Sequence, residues 1–157
     1  MSQNKSELVY VTFIRTTPEK VWAAITQPEF AGKYWGNSAN ISDWKKGSPW
    51  RHVHTGTPET VRVVGEVVES TPPTRLVLTW ADPAAPVDVS RVTYEIEAIE
   101  DLVKLTVTHG EFQEGSPMAG KVSWGWPRVL SSLKSFLETG KGLNIQAGGG
   151  GCGSKQG

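Results

Sequence analysis

From Ala39 to Gly110 the sequence alternates with a period of two through six consecutive segments, and it then closes on one long amphipathic segment. That segment opens at Gly115-Ser116-Pro117 and runs through Trp124-Gly125-Trp126-Pro127 to Glu138. A long helix behind a run of antiparallel strands needs a concave sheet to lie in, and a helix lying in a concave sheet encloses a cavity. This one feature favours binding as much as chemistry.

Helical spacing places Trp126, Leu130, Leu133 and Leu137 on one stripe with Phe136 beside it, while Ser131, Ser132, Lys134, Ser135 and Glu138 point elsewhere. Ser116 is expected to cap the helix, Pro117 to hold its first position, and Gly140 and Gly142 to end it. Pro127 lacks an amide proton, so a kink is expected there, or a helix proper that starts at Pro127.

Upstream, Leu8 to Arg15 is apolar at both parities and reads as a strand buried on both faces. Thr17 can cap a short helix that begins Pro18-Glu19-Lys20 and carries Val21, Trp22 and Ile25. Gln27-Pro28-Glu29 restarts a second one toward Tyr34-Trp35. The alternating segments are read as strands over 39–44, 48–55, 59–70, 74–81, 87–99 and 102–110. Their connections, among them Lys46-Gly47, Thr71-Pro72-Pro73 and Glu100-Asp101, are of hairpin length, so the sheet is expected to be antiparallel. In the last two strands Val92, Tyr94, Ile96 and Ala98, and Val103, Leu105, Val107 and His109, take the core face.

At 157 residues the chain is expected to form one domain, able to bury roughly two-thirds of its unfolded surface. Domain bounds of 7–141 are expected, between a flexible 1–6 and a glycine-rich, disordered 142–157. Sixteen basic and sixteen acidic residues cancel, which removes any bulk electrostatic case for nucleic acid or anionic membrane. No apolar run is long enough to span a bilayer and no signal-peptide core follows Met1, so a cytoplasmic location is expected. Cys152 is the single cysteine, which excludes an intrachain disulfide. The tail sequence from Gly148 to Lys155 imitates a phosphate-binding loop, but Ser154 precedes Lys155 in the wrong order and neither strand nor helix flanks it. No Gly-X-Ser-X-Gly nucleophile motif occurs.

Four pieces in order carry a family resemblance: Thr17-Pro18-Glu19-Lys20-Val21-Trp22 after the opening strand, Gln27-Pro28-Glu29, Gly65-Glu66-Val67-Val68-Glu69 before Pro72-Pro73-Thr74-Arg75-Leu76, and Gly125-Trp126-Pro127 leading to Leu130, Leu133-Lys134 and Leu137-Glu138. Together they resemble the activator of heat-shock protein 90 ATPase-like family, within the START-like, Bet v 1-like (SRPBCC) superfamily, over about residues 7–141. The resemblance implies an α+β helix-grip fold: a seven-stranded antiparallel sheet around a long C-terminal helix, two short helices after the first strand, and a cavity between. It also implies a stress-response setting and a chaperone as a second kind of partner. The two-domain co-chaperones of the family are matched here only in their C-terminal domain, and no room is expected before Leu8 for another. The fold hosts lipid binders, hormone receptors, cyclases and co-chaperones alike.

The chain has seven tryptophans and three histidines. Trp22 is read as core. Trp35, Trp50, Trp80, Trp124 and Trp126, with Leu130 on the long helix, are the candidate cavity walls. Trp50, His52 and His54 share a parity, and Trp80 and His109 have cavity parity on their own strands, so His52, His54, His109 and Tyr94 are the candidate orienting groups. His52-X-His54 could place two imidazoles on one ion, but no carboxylate completes the set, so no metal and no cofactor are expected. Glu66, Asp82 and Glu111 lie at no spacing that defines an acid–base pair, and no catalytic residue is assigned. The reading that results is a binding domain for a hydrophobic small molecule, lipid-like or polyketide-like. The alternatives are a co-chaperone and a cyclase or hydrolase using the same cavity.

Overall fold

The computed structural model describes residues 7–145, without the side chains at 58 and 59. Seven strands, β1 (Leu8–Ile14), β2 (Ser38–Ser42), β3 (Pro49–His54), β4 (Thr57–Thr71), β5 (Arg75–Trp80), β6 (Ser90–Ile99) and β7 (Leu102–Gly110), form one sheet in the order β1-β7-β6-β5-β4-β3-β2. Every neighbouring pair is antiparallel. Two short helices, α1 (Pro18–Thr26) and α2 (Pro28–Tyr34), follow β1, and α3 (Met118–Thr139) closes the sheet. This is the helix-grip, Bet v 1/START-like fold.

Local chemistry explains most boundaries. Thr17 Oγ1 accepts from the Lys20 amide at 3.3 Å and Pro18 opens α1. Gly140 ends α3 with φ of 89°, the left-handed conformation that glycine adopts without a Cβ clash. On the concave face Val92, Tyr94 and Ile96 of β6 and Val103, Leu105 and Val107 of β7 are buried beneath Trp126, Val129, Leu130 and Leu133 of α3. Each such side chain contributes roughly 1.5–3 kcal/mol on leaving water.

The structure departs from the sequence reading in five places. The strand β1 is buried on one face only: Val9, Val11 and Phe13 are 54, 49 and 47 % exposed. It is one of the sheet's two edge strands, and no described element covers its outer face. Strand β6 starts at Ser90, because Asp82 to Asp88 is taken up by successive turns in which Asp82 Oδ1 accepts from the Ala84 amide at 2.9 Å. Ala98 is exposed rather than core-facing, close to the hairpin end of β6.

The fourth and fifth departures are in and around α3. The helix includes Pro127 in its interior, so it does not start there, and Pro117 precedes its first residue. Ser116 still satisfies the helix start, since its Oγ accepts from the Met118 amide at 3.0 Å and donates to Asp88 Oδ2 at 2.6 Å. The Arg128 guanidinium donates to the Trp124 carbonyl at 2.7 Å, one turn beside the proline. Finally, Ser132 is fully buried, because the chain after Gly140 turns back along α3 and the Leu143 amide donates to Ser132 Oγ at 2.8 Å. Ile145, further along this returning segment, packs against the core.

Candidate functional site

Between the β3–β4–β5 part of the sheet and the first half of α3 lies a cavity of about 380 Å³. Trp35, at the end of α2, Trp80 on β5 and Trp126 on α3 supply three indole walls, and Val63, Met118 and Val122 fill between them. Trp126 stands 5.8 Å from Trp35 and 5.7 Å from Trp80 between ring centres, so the three indoles form one continuous aromatic surface.

His52 is the one buried ionisable group on that surface. Its ring centre lies 4.7 Å from that of Trp35. Asn40 fixes its tautomer: Asn40 Nδ2 donates to the Ile25 carbonyl at 2.9 Å, which leaves Asn40 Oδ1 to accept from His52 Nδ1 at 2.7 Å. The proton therefore sits on Nδ1 and Nε2 carries the lone pair. Burial, aided by the Arg62 charge, lowers the His52 pKa to about 4. The ring is neutral near pH 7, an acceptor for a hydroxyl or amide of an occupant.

His109 is placed behind the wall. The Trp126 indole N–H donates to its Nδ1 at 3.0 Å, so Nε2 holds the proton and donates to Ser90 Oγ at 2.8 Å, and Ser90 donates to the Trp80 carbonyl at 3.3 Å. Every polar atom of this relay is partnered. Burial lowers the His109 pKa to about 3, so the imidazole acts as a neutral strut that locks the Trp126 and Trp80 walls together.

Of the residues read as site candidates, Trp35, His52, Trp80, Trp124 and Trp126 do line the cavity, and five others lie elsewhere. Trp50 is buried one layer away, where its indole donates to the Thr79 carbonyl at 2.7 Å. His54 lies at the last position of β3 and outside the cavity lining, and its Nδ1 accepts from the Gly56 amide at 3.2 Å in the following turn. Tyr94 packs edge-on beneath Trp126, with burial raising its pKa far above the usual phenol value. His109 is the strut just described. Leu130 faces a separate groove between α3 and the edge strand β1.

The structure adds cavity residues that the reading missed. Arg62, Asp82, Lys121 and Arg128 stand on its walls and rim, and Ile145 closes one side. Lys121, Trp124 and Arg128 lie at helical spacing on α3, a stripe legible beside the apolar one. The Arg128 guanidinium stacks 3.8 Å over the exposed Trp124 ring. Lys121 Nζ lies 3.5 Å from Asp82 Oδ2. Among the described residues no three His, Cys, Asp or Glu side chains gather in a metal-binding arrangement, and no helix is long and apolar enough to cross a membrane.

Comparison with solved structures finds the same fold. A solution structure of the Aha1 dimer from Colwellia psychrerythraea superposes with a TM-score of 0.71 at 22 % identity, covering 87 % of this chain and 99 % of that one. The crystal structure of an HSP90 activator from Plasmodium falciparum has a TM-score of 0.71 at 21 % identity, covering 83 % and 95 %. The protein MLL2253 from Mesorhizobium loti has a TM-score of 0.69 at 26 % identity, covering 84 % and 96 %. A search of curated proteins finds no match. The profile of one family matches residues 15–138, which run from the end of β1 through nearly all of α3, and the chain accordingly belongs to the family of Activator of Hsp90 ATPase homolog 1-like proteins.

Proposed function

We propose that this protein binds an apolar, aromatic small molecule in the cavity between the sheet and α3. The observation that carries this reading is the 380 Å³ space walled by Trp35, Trp80 and Trp126, with the neutral acceptor His52 among them and charged side chains at only a few wall and rim positions. Many buried apolar walls with a few oriented polar groups are what small-molecule sites consist of. The relay behind Trp126 and Trp80 supports it further, since fixed walls need no rearrangement when an occupant arrives.

The test combines native mass spectrometry of the purified protein with tryptophan-fluorescence titration against fatty acids, flavonoids and aromatic polyketides. A co-purifying mass, or a saturable shift at one molecule per chain that Val122→Trp abolishes by filling the space, is the expected result. No mass and no shift across the panel would sink the reading.

A second reading rests on the family and on the Plasmodium HSP90 activator: a co-chaperone that docks on the HSP90 ATPase. Co-precipitation with that chaperone and stimulation of its ATP hydrolysis would be its result, and an unchanged hydrolysis rate at saturating protein would remove it.

A further inference from the structure

Arg62 is placed in the cavity wall by a break in the strand pattern. Along β3 and β4 the register pairs His52 with Val63 and then Val53 with Val61, so one step on β3 corresponds to two on β4. Arg62 is the extra residue. In a regular strand Arg62 would point to the opposite face from Val61 and Val63, yet all three line the cavity. A bulge of this kind re-aims a side chain, and it costs a ladder pairing.

The re-aimed guanidinium is incompletely partnered. Its Nε is buried and has no hydrogen-bond acceptor. Arg91 Nε is also without one, but the Glu111 carboxylate stands 3.5 Å away to balance its charge. Among the described side chains, which do not include that of Glu59, no carboxylate forms such an ion pair with Arg62. Two more cations, Lys121 and Arg128, stand on the rim, and Asp82, beside Lys121, is the one acid among the lining residues. A buried cationic donor without an acceptor is costly unless an occupant supplies the anion.

We infer that the cavity is built for a planar apolar molecule bearing one acid group, of the aromatic carboxylate or sulfonate class, whose anion accepts from the Arg62 guanidinium. This rests on the binding function proposed above and specifies its ligand. The indoles of Trp35, Trp80 and Trp126 take the planar body. His52 Nε2, a lone pair, repels an anion and accepts from a hydroxyl or amide of the ligand, so the acid belongs at Arg62 and a donor group at His52.

Two dyes that differ by one group test this: anilinonaphthalene sulfonate, and phenylnaphthylamine, which is the same molecule without its sulfonate. Both become fluorescent in apolar sites. The expected result is that each binds at one per chain, and that Arg62→Met weakens the sulfonate dye by at least about tenfold, the value of a charge-assisted hydrogen bond, while phenylnaphthylamine changes less than about threefold. Arg62→Lys, which keeps the charge, should recover part of the loss. Retained phenylnaphthylamine binding also shows that the variant is folded. If both dyes bind and Arg62→Met affects them equally or not at all, the acid-group inference is overturned and the binding function stands. If neither dye binds the unsubstituted protein, both fall together.

Discussion

At the scale of single residues, the space beside Gly65 is the tightest constraint. Gly65 pairs with Trp50 across β3 and β4, and a Cβ there would collide with the Trp50 indole nitrogen and the Thr79 carbonyl, the two atoms that bond each other at 2.7 Å. The glycine exists so that an indole can cross its backbone and reach the next strand. Gly65→Ala should therefore destabilise the protein by about 2–3 kcal/mol, measured by denaturant unfolding, and should red-shift tryptophan emission as Trp50 loses its seat. A cost under about 0.5 kcal/mol would show that the crossing can relax. Sequence alone marks Gly65 only as a glycine inside a strand. The side chain that crosses it, Trp50, and the carbonyl it reaches, Thr79, are 29 residues apart in sequence, and no local pattern announces such a crossing. His109 teaches the same lesson: parity assigns it to the concave face, where it does lie, but only packing reveals that Trp126 and Ser90 consume both of its nitrogens.

At the scale of elements, the strands were legible to within a few residues because each hairpin carries its own turn chemistry, and α3 because its apolar stripe is long. What periodicity cannot show is an interruption of itself. The bulge that delivers Arg62 lies inside β4, whose apolar residues read as an uninterrupted strand. The exposed side of β1 escaped for the opposite reason: apolar residues at both parities look buried on both faces, whereas the edge position leaves Val9, Val11 and Phe13 in water. The start of α3 was readable in chemistry but not in position. Ser116 bonds both the Met118 amide and Asp88 from just outside the helix. Ser116→Ala removes both bonds and should cost about 1 kcal/mol in thermal or denaturant melts, with Ser116→Asp failing to restore it because a carboxylate would face Asp88. At the other end, Lys134 donates to Glu138 and to the Phe13 carbonyl, and the Arg15 amide donates to Glu138, which pins the helix to β1 and holds the Glu138 carboxyl below its usual range.

At the scale of the whole molecule, two buried neutral imidazoles make stability depend on pH. His52 and His109 titrate at about 4 and about 3 when folded, against 6.5 in the open chain. Between those limits the unfolded chain binds protons that the folded one refuses, so stability is complete above about pH 6.5 and falls as the solution is acidified toward pH 4. Each group contributes about 1.4 kcal/mol per pH unit in that window. Denaturant midpoints at about pH 7.5 and about pH 5 should differ accordingly, and His52→Gln should remove about half of the slope. A midpoint independent of pH over that range would mean that the rings are protonated in place. The relay that hides His109 also uses up part of the hydrogen-bonding capacity of the cavity wall. With the Trp126 N–H spent on His109, that wall presents a ring face and no donor to the cavity. A hydroxyl pressed against that ring face would lose its water without a bond in return, at roughly 1–3 kcal/mol. On the binding function proposed above, that wall selects by exclusion: a polar group of an occupant finds a partner at Arg62 or His52 and none against Trp126.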